Sequence, residues 1–154
     1  MSTMLKLSRL QIKTIFMEDN KDKSNRLNYL QKEFKRQADR KEFYLKEIKE
    51  IKIRLQANEK EITDNRGWIK FHKNSIKEHK KEISTTSNLD NKKDQENKVR
   101  FHEAQINKHH NKNIQYHNKE IISTKEEIGL FQKGIKRCNE QLIILKNRIS
   151  ENNI

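Results

Sequence analysis

The sequence predicts an all-α protein: a long antiparallel coiled-coil helical hairpin with heptad arms, assembling into a dimer or higher oligomer. Three observations carry that expectation. Branched apolar residues recur every seven positions along two long stretches, a polar stretch separates the two, and the chain holds no proline and three glycines in 154 residues. With 31% hydrophobic and 37% charged residues, there is too little apolar surface for a compact globule, and the composition suits helices that bury one narrow stripe.

Residues 1–26 read as a separate N-terminal piece. Leu5, Leu7, Leu10, Ile12 and Met17 suit a short helix, the alternation in LKL and LQI suits a strand equally, and EDNKDKSN at 18–25 reads as a linker. The first arm, 27–83, places Leu27, Phe34, Ile48, Leu55, Ile62, Ile69, Ile76 and Ile83 on one heptad frame, broken only by Lys41. A strict period of seven keeps one seam facing a partner helix. Residues 84–96 form the expected polar turn, with Ser87 or Asp94 as N-cap, because hydroxyl, Asn and Asp side chains compete with the helical backbone and cap it. The second arm, 97–152, turns Val99, His102, Ile106 and His110 inward. It then shifts frame, reading as a four-residue stutter, before Ile114, Ile121, Ile128, Ile135, Leu142 and Ile149 continue the repeat. Because the connector lacks Gly and Pro, the rival arrangement is a single long helix in a parallel dimer. Gly129 and Gly134 mark a bend or a close helix approach, and Cys138, alone and at an inward d position, reads as a small buried hydrophobe.

The net charge of +13 points to a polyanionic partner, either nucleic acid or an acidic protein surface. An AT-biased genome would supply part of it without any binding role: Lys, Asn and Ile all have AT-rich codons and together make up about 40% of the chain. Lys also outnumbers Arg 26 to 9, which favours contact without sequence specificity, since bidentate base reading prefers Arg. Residues 66–119 carry 13 cations against 6 anions. Within that basic tip, Arg66, Lys70, Lys73, Lys77, Lys80, Lys81, Lys92, Lys93, Lys98 and Arg100 are the candidate phosphate contacts. Trp68 and Phe71, at g and c positions beside the seam, are candidates for packing or partner contact, with base stacking as the alternative.

All six histidines, His72, His79, His102, His109, His110 and His117, fall in the same region. They read as polar layers that fix register, or as layers that loosen when protonated at pH 5–6. A shared metal ion would need a cross-helix set such as His72 with His109 or His110. Residues seven apart on one helix are about 10.5 Å apart along its axis, too far to chelate together, so no metal is expected. No catalytic motif or cofactor signature is present, and the chain is read as non-enzymatic. The alternative function is a scaffold or adaptor component of a virion or large protein assembly with no nucleic-acid role. The basic N-terminus resembles a mitochondrial presequence, and a peripheral membrane contact through it is a third reading, but no membrane partner is expected and the location is read as cytoplasmic or virion-associated.

Overall fold

A computed structural model describes residues 9–152 and, of these, the side chains of all but residue 10 and residues 12–16. Expectations for residues 1–8 lie outside the described residues. The fold is all-α, a helical hairpin in which α1 (Arg9–Thr85) is followed by α2 (Leu89–Gln105), a π turn (Ile106–His110) and α3 (Asn111–Asn152). Helix α1 runs 77 residues without interruption. The linker expected at 18–25 is therefore helical: its polar residues are solvated, and it contains neither Gly nor Pro to break the hydrogen-bond ladder.

The chain reverses at Thr86–Asn88, which excludes the single continuous helix. The polar turn is much shorter than 84–96, and its N-cap is Asn88 rather than Ser87 or Asp94. Asn88 has extended backbone angles (φ −83°, ψ 116°), and its Oδ1 accepts from the backbone N–H groups of Asp90 (2.9 Å) and Asn91 (3.2 Å). Thr86 supplies the other half of the turn: its hydroxyl oxygen accepts from the Asn88 N–H at 3.3 Å and from Asn91 Nδ2 at 3.2 Å. Hydroxyl and amide groups thus satisfy the helix ends without glycine, and no described residue has positive φ. The remainder of the expected turn is helical, held in part by the Lys98–Asp94 ion pair at 3.1 Å, four residues apart.

The described residues divide into two compact units. In the unit Ile48–Leu130, the inward positions of α1 follow the heptad frame. Ile48, Ile62 and the half-buried Ile69, Ile76 and Ile83 take the a positions, and Ile51, Asn65 and His72 take d positions three residues after an a position. From the second arm, Val99, Ile106 and Thr124 are buried. Burying an Ile in such a seam stabilises by about 1.5–3 kcal/mol. In the other unit, residues up to Glu47 and from Phe131, Leu30, Cys138 and Leu145 are buried among the described residues, and the Tyr44 and Phe131 rings lie 5.6 Å apart.

The glycines of the second arm differ. Gly134 is a close approach, where a Cβ would lie 2.8 Å from Tyr44 Cε2. Gly129 has nothing within 4 Å, and neither does Gly67. Gly67→Ala and Gly129→Ala should therefore each stabilise by about 1 kcal/mol in thermal unfolding, since Ala is the better helix former and meets no obstacle. Gly134→Ala should lose that gain by displacing the Tyr44 ring; a gain equal to the other two would show that the approach is not tight. Asn88→Ala should destabilise by about 1 kcal/mol through loss of the cap.

Candidate functional site

The unusual chemistry lies within the unit Ile48–Leu130, where the seam carries paired polar side chains at successive heptads. On α1 the d positions read Asn58, Asn65, His72, His79. Each is hydrogen-bonded to the returning arm: Asn58 Oδ1 accepts from His117 Nδ1 at 2.7 Å, and Asn65 Oδ1 accepts from His110 Nδ1 at 2.8 Å and from Asn113 Nδ2 at 3.5 Å. His72 and His102 share a hydrogen between their Nδ1 atoms at 2.7 Å, and His79 Nδ1 donates to Gln95 Oε1. Both asparagines are oriented in the same way. Their Nδ2 groups donate to the carbonyl one turn earlier, Arg54 for Asn58 (3.0 Å) and Glu61 for Asn65 (2.7 Å), which aims Oδ1 across the seam. Among the described residues, no buried side-chain nitrogen or oxygen lacks a partner, as a buried polar layer requires.

The pairs explain the frame shift. On α1 the paired residues are always seven apart, and on the returning arm His117 and His110 are seven apart, as are His102 and Gln95. Between His110 and His102 there are eight. The extra residue lies within the π turn Ile106–His110, whose wider hydrogen-bonding loop absorbs one insertion without turning the following helix off the seam. The four-residue stutter is thus corrected to a single inserted residue. Ile106 and His110, at its two ends, are both buried.

Hydrogen bonding fixes much of the protonation. His79, His110 and His117 each donate Nδ1–H to an amide oxygen, so their Nε2 atoms carry the lone pair when neutral. In the His72–His102 pair one ring donates and the other accepts, and two Nδ1–H groups cannot face each other across 2.7 Å. The ring contacts run on from His79 over His102 and His72 to His110, at centroid separations of 5.5, 5.0 and 5.3 Å. The His102 pKa is lowered by burial and then by the neighbouring charges of His72 and His79. That of His110 is lowered by burial and then by His109 and His72. His109 is exposed, with its ring edge-on to His110. Among the described residues no group of three or more His, Cys, Asp or Glu side chains is placed to hold a metal ion. Cys138 is buried in the other unit.

Trp68 and Phe71 remain more than half exposed, at 55% and 53%, and pack edge to face at 5.9 Å. Trp68 lies parallel to His110, and Phe71 stands edge-on to His72 and His102. Phe101 and Tyr116 are also exposed, each edge-on to the seam histidine that follows it. The Trp, Phe and Tyr rings of this unit thus lie outside, while the inside combines aliphatic residues with the paired polar ones.

The flanks of the seam differ in charge. In a heptad the e and b positions lie on one side of the a/d line and g and c on the other. Arg66, Lys70, Lys73, Lys77 and Lys80 form a single exposed row of alternating e and b positions. On the opposite side of the same helix the g and c row reads Glu61, Asp64, Trp68, Phe71, Ser75, Glu78, Glu82, with no cation. Arg54 and Glu127, both at g, form an ion pair at 3.5 Å, so the g side of α1 faces the g side of the returning arm. Lys93 and Arg100, at b positions of α2, accordingly lie on the basic side, together with Glu96 and Glu103 at e positions. Lys98, at g, instead pairs with Asp94. Lys81 and Lys92 are exposed outside both rows. Sequence reasoning missed the amide partners and the acidic row, although Asn65 and Asn58 stand seven and fourteen residues before His72 in the same frame.

No described histidine is ion-paired with a carboxylate, so acidification has no local compensation. With pKa values below the ordinary 6.5, folded His102 and His110 resist protons that the unfolded chain accepts. Their stabilising effect is complete above about pH 6.5 and is lost as pH falls below it. The thermal midpoint should drop between pH 7.5 and 5, and His102→Gln should shrink that drop; an unchanged midpoint would remove the assignment. Comparisons with protein-family models, with curated proteins and with solved structures find no match for this chain, so its function is read from the arrangement of its own residues.

Proposed function

We propose that this protein is a non-enzymatic coiled-coil hairpin whose basic flank, beside the histidine-rich seam, binds nucleic acid or another polyanion without sequence specificity. The observation that carries this reading is the row Arg66, Lys70, Lys73, Lys77, Lys80: all five residues are exposed, and none takes part in an ion pair. At 1.5 Å per residue the row extends about 21 Å along α1, long enough to follow several phosphates of one strand. Lysine dominance suits backbone contact, where point charges release counterions and no base edge is read. In this reading the Ile and Leu seam holds the arms together and self-association adds further helices, while the histidine–amide pairs set the register. Among the described residues no helix is long and apolar enough to cross a membrane.

The alternative, a scaffold or adaptor within a virion or large protein assembly and without a nucleic-acid role, is favoured by the acidic and aromatic row, which suits a protein partner better than a phosphate backbone.

Binding to duplex and single-stranded nucleic acid should be measured across a salt series. The expected result is affinity for both forms that falls steeply with salt. Replacing Lys70, Lys73, Lys77 and Lys80 by Gln should reduce the slope of log K against log salt by about 3–4. No binding at about 50 mM salt would transfer the assignment to the scaffold reading.

A further inference from the structure

The two rows on either side of the seam complement each other. The acidic row begins with Glu61 and Asp64, ends with Glu78 and Glu82, and holds the exposed Trp68 and Phe71 at its centre. It extends about 31 Å, and the basic row of the same helix, about 21 Å, fits within it. Both rows alternate steps of three and four residues, so the side chains of one helix match the spacing offered by another. Both aromatic rings rest one side on the seam histidines and leave more than half of their surface open to water.

We infer that the acidic and aromatic row is the docking surface for a second copy of this chain, which lays its basic row along it. Outer cations of that row meet the carboxylates at either end, and the central Lys73 lies over Trp68 and Phe71, where the negative faces of the rings attract an ammonium group. The two surfaces differ, so the contact is heterologous: each copy bound through its acidic row still offers a free basic row. Successive copies then add in one sense, giving a ring if the rotation closes and a filament if it does not. Association at such an interface is steered by charge and weakens with salt. This inference goes beyond polyanion binding and does not require it, although the two share the basic row.

The test uses full-length, nuclease-treated protein, so that no nucleic acid bridges the copies. One variant, K70E/K73E/K77E/K80E, is acidic on both flanks; the other, E61K/D64K/E78K, has its acidic flank reversed. All seven positions are exposed, and circular dichroism establishes that each variant remains helical. In sedimentation velocity at low salt the wild type should exceed its monomer mass of 18.7 kDa, and it should revert towards monomer at about 0.5 M salt. Each variant alone should stay monomeric, and an equimolar mixture of the two should associate. Trp68 is the only tryptophan, so its quenching by acrylamide should fall at least twofold when the copies associate. Trp68→Ser with Phe71→Ser should raise the dissociation constant about tenfold or more. A wild type that is monomeric at about 100 μM in low salt overturns the inference, as does a mixture that fails to associate. Protection of Trp68 by a lysine-rich peptide in a protein that does not self-associate would assign the row to a different basic partner and likewise overturn it. Polyanion binding, measured separately, stands or falls on its own salt series.

Discussion

Every feature of the unit Ile48–Leu130 depends on the requirement that polar groups placed in a helical seam find partners there. An unpaired amide or imidazole at such a position is destabilising by about 1–3 kcal/mol, whereas a paired one is close to neutral. Asn58, Asn65, His72 and His79 each meet this requirement through the returning arm. The pairs are spaced by heptads on α1, so the returning arm must present its partners at the same intervals. Its sequence has one residue too many between His102 and His110, and the π turn is the local distortion that accommodates it. A regular α-helix through that segment would rotate one half of the ladder out of the seam.

The same pairs restrict sliding of the arms. An isoleucine seam is nearly indifferent to displacement by a whole heptad, because one apolar layer resembles the next. Displacing the returning arm by seven in one direction would set His117 against Ile51, which has no exposed surface, and strand an imidazole among methyl groups. The three-residue connection adds a second restraint, since Asn88 caps α2 only if the helix begins at Leu89. Turn chemistry and seam chemistry therefore select the same register, the kind of agreement between local and global preferences that marks a foldable sequence.

Most of this architecture was legible because period seven is a strong signal. The Ile and Leu positions, the reversal between the arms and the inward histidines all follow from spacing. What was not legible depended on local competition. The segment NKKDQEN has turn-like composition yet continues the helix, because Asn88 upstream captures the capping role and ion pairing supports the rest. EDNKDKSN is likewise helical, since polarity alone does not end a helix that lacks Gly or Pro. The frame shift was visible, but a frame shift alone does not say whether a helix unwinds over several turns or takes in one residue. The polar pairing decides that, and the asparagines in it were hidden by their ordinary preference for caps and loops.

Charge sorting separates composition from function. An AT-biased genome supplies lysine in quantity but has no means of placing it by angle around a helix. Between residues 61 and 82 five of the six cations, Arg66, Lys70, Lys73, Lys77 and Lys80, lie on one flank and Lys81 on neither, while the opposite flank has carboxylates and aromatic rings and no cation. Solubility alone would be served equally well by mixed signs on both sides, which also stabilise a helix through pairs four residues apart. Separation of the signs gives up those pairs and leaves the basic row unneutralised. That arrangement has a physical consequence only when something of opposite charge lies along the row, whether a phosphate backbone or the acidic flank of another copy. Because both would cover the same five side chains, the two would exclude each other at any one basic row, and assembly and polyanion binding would compete for that surface.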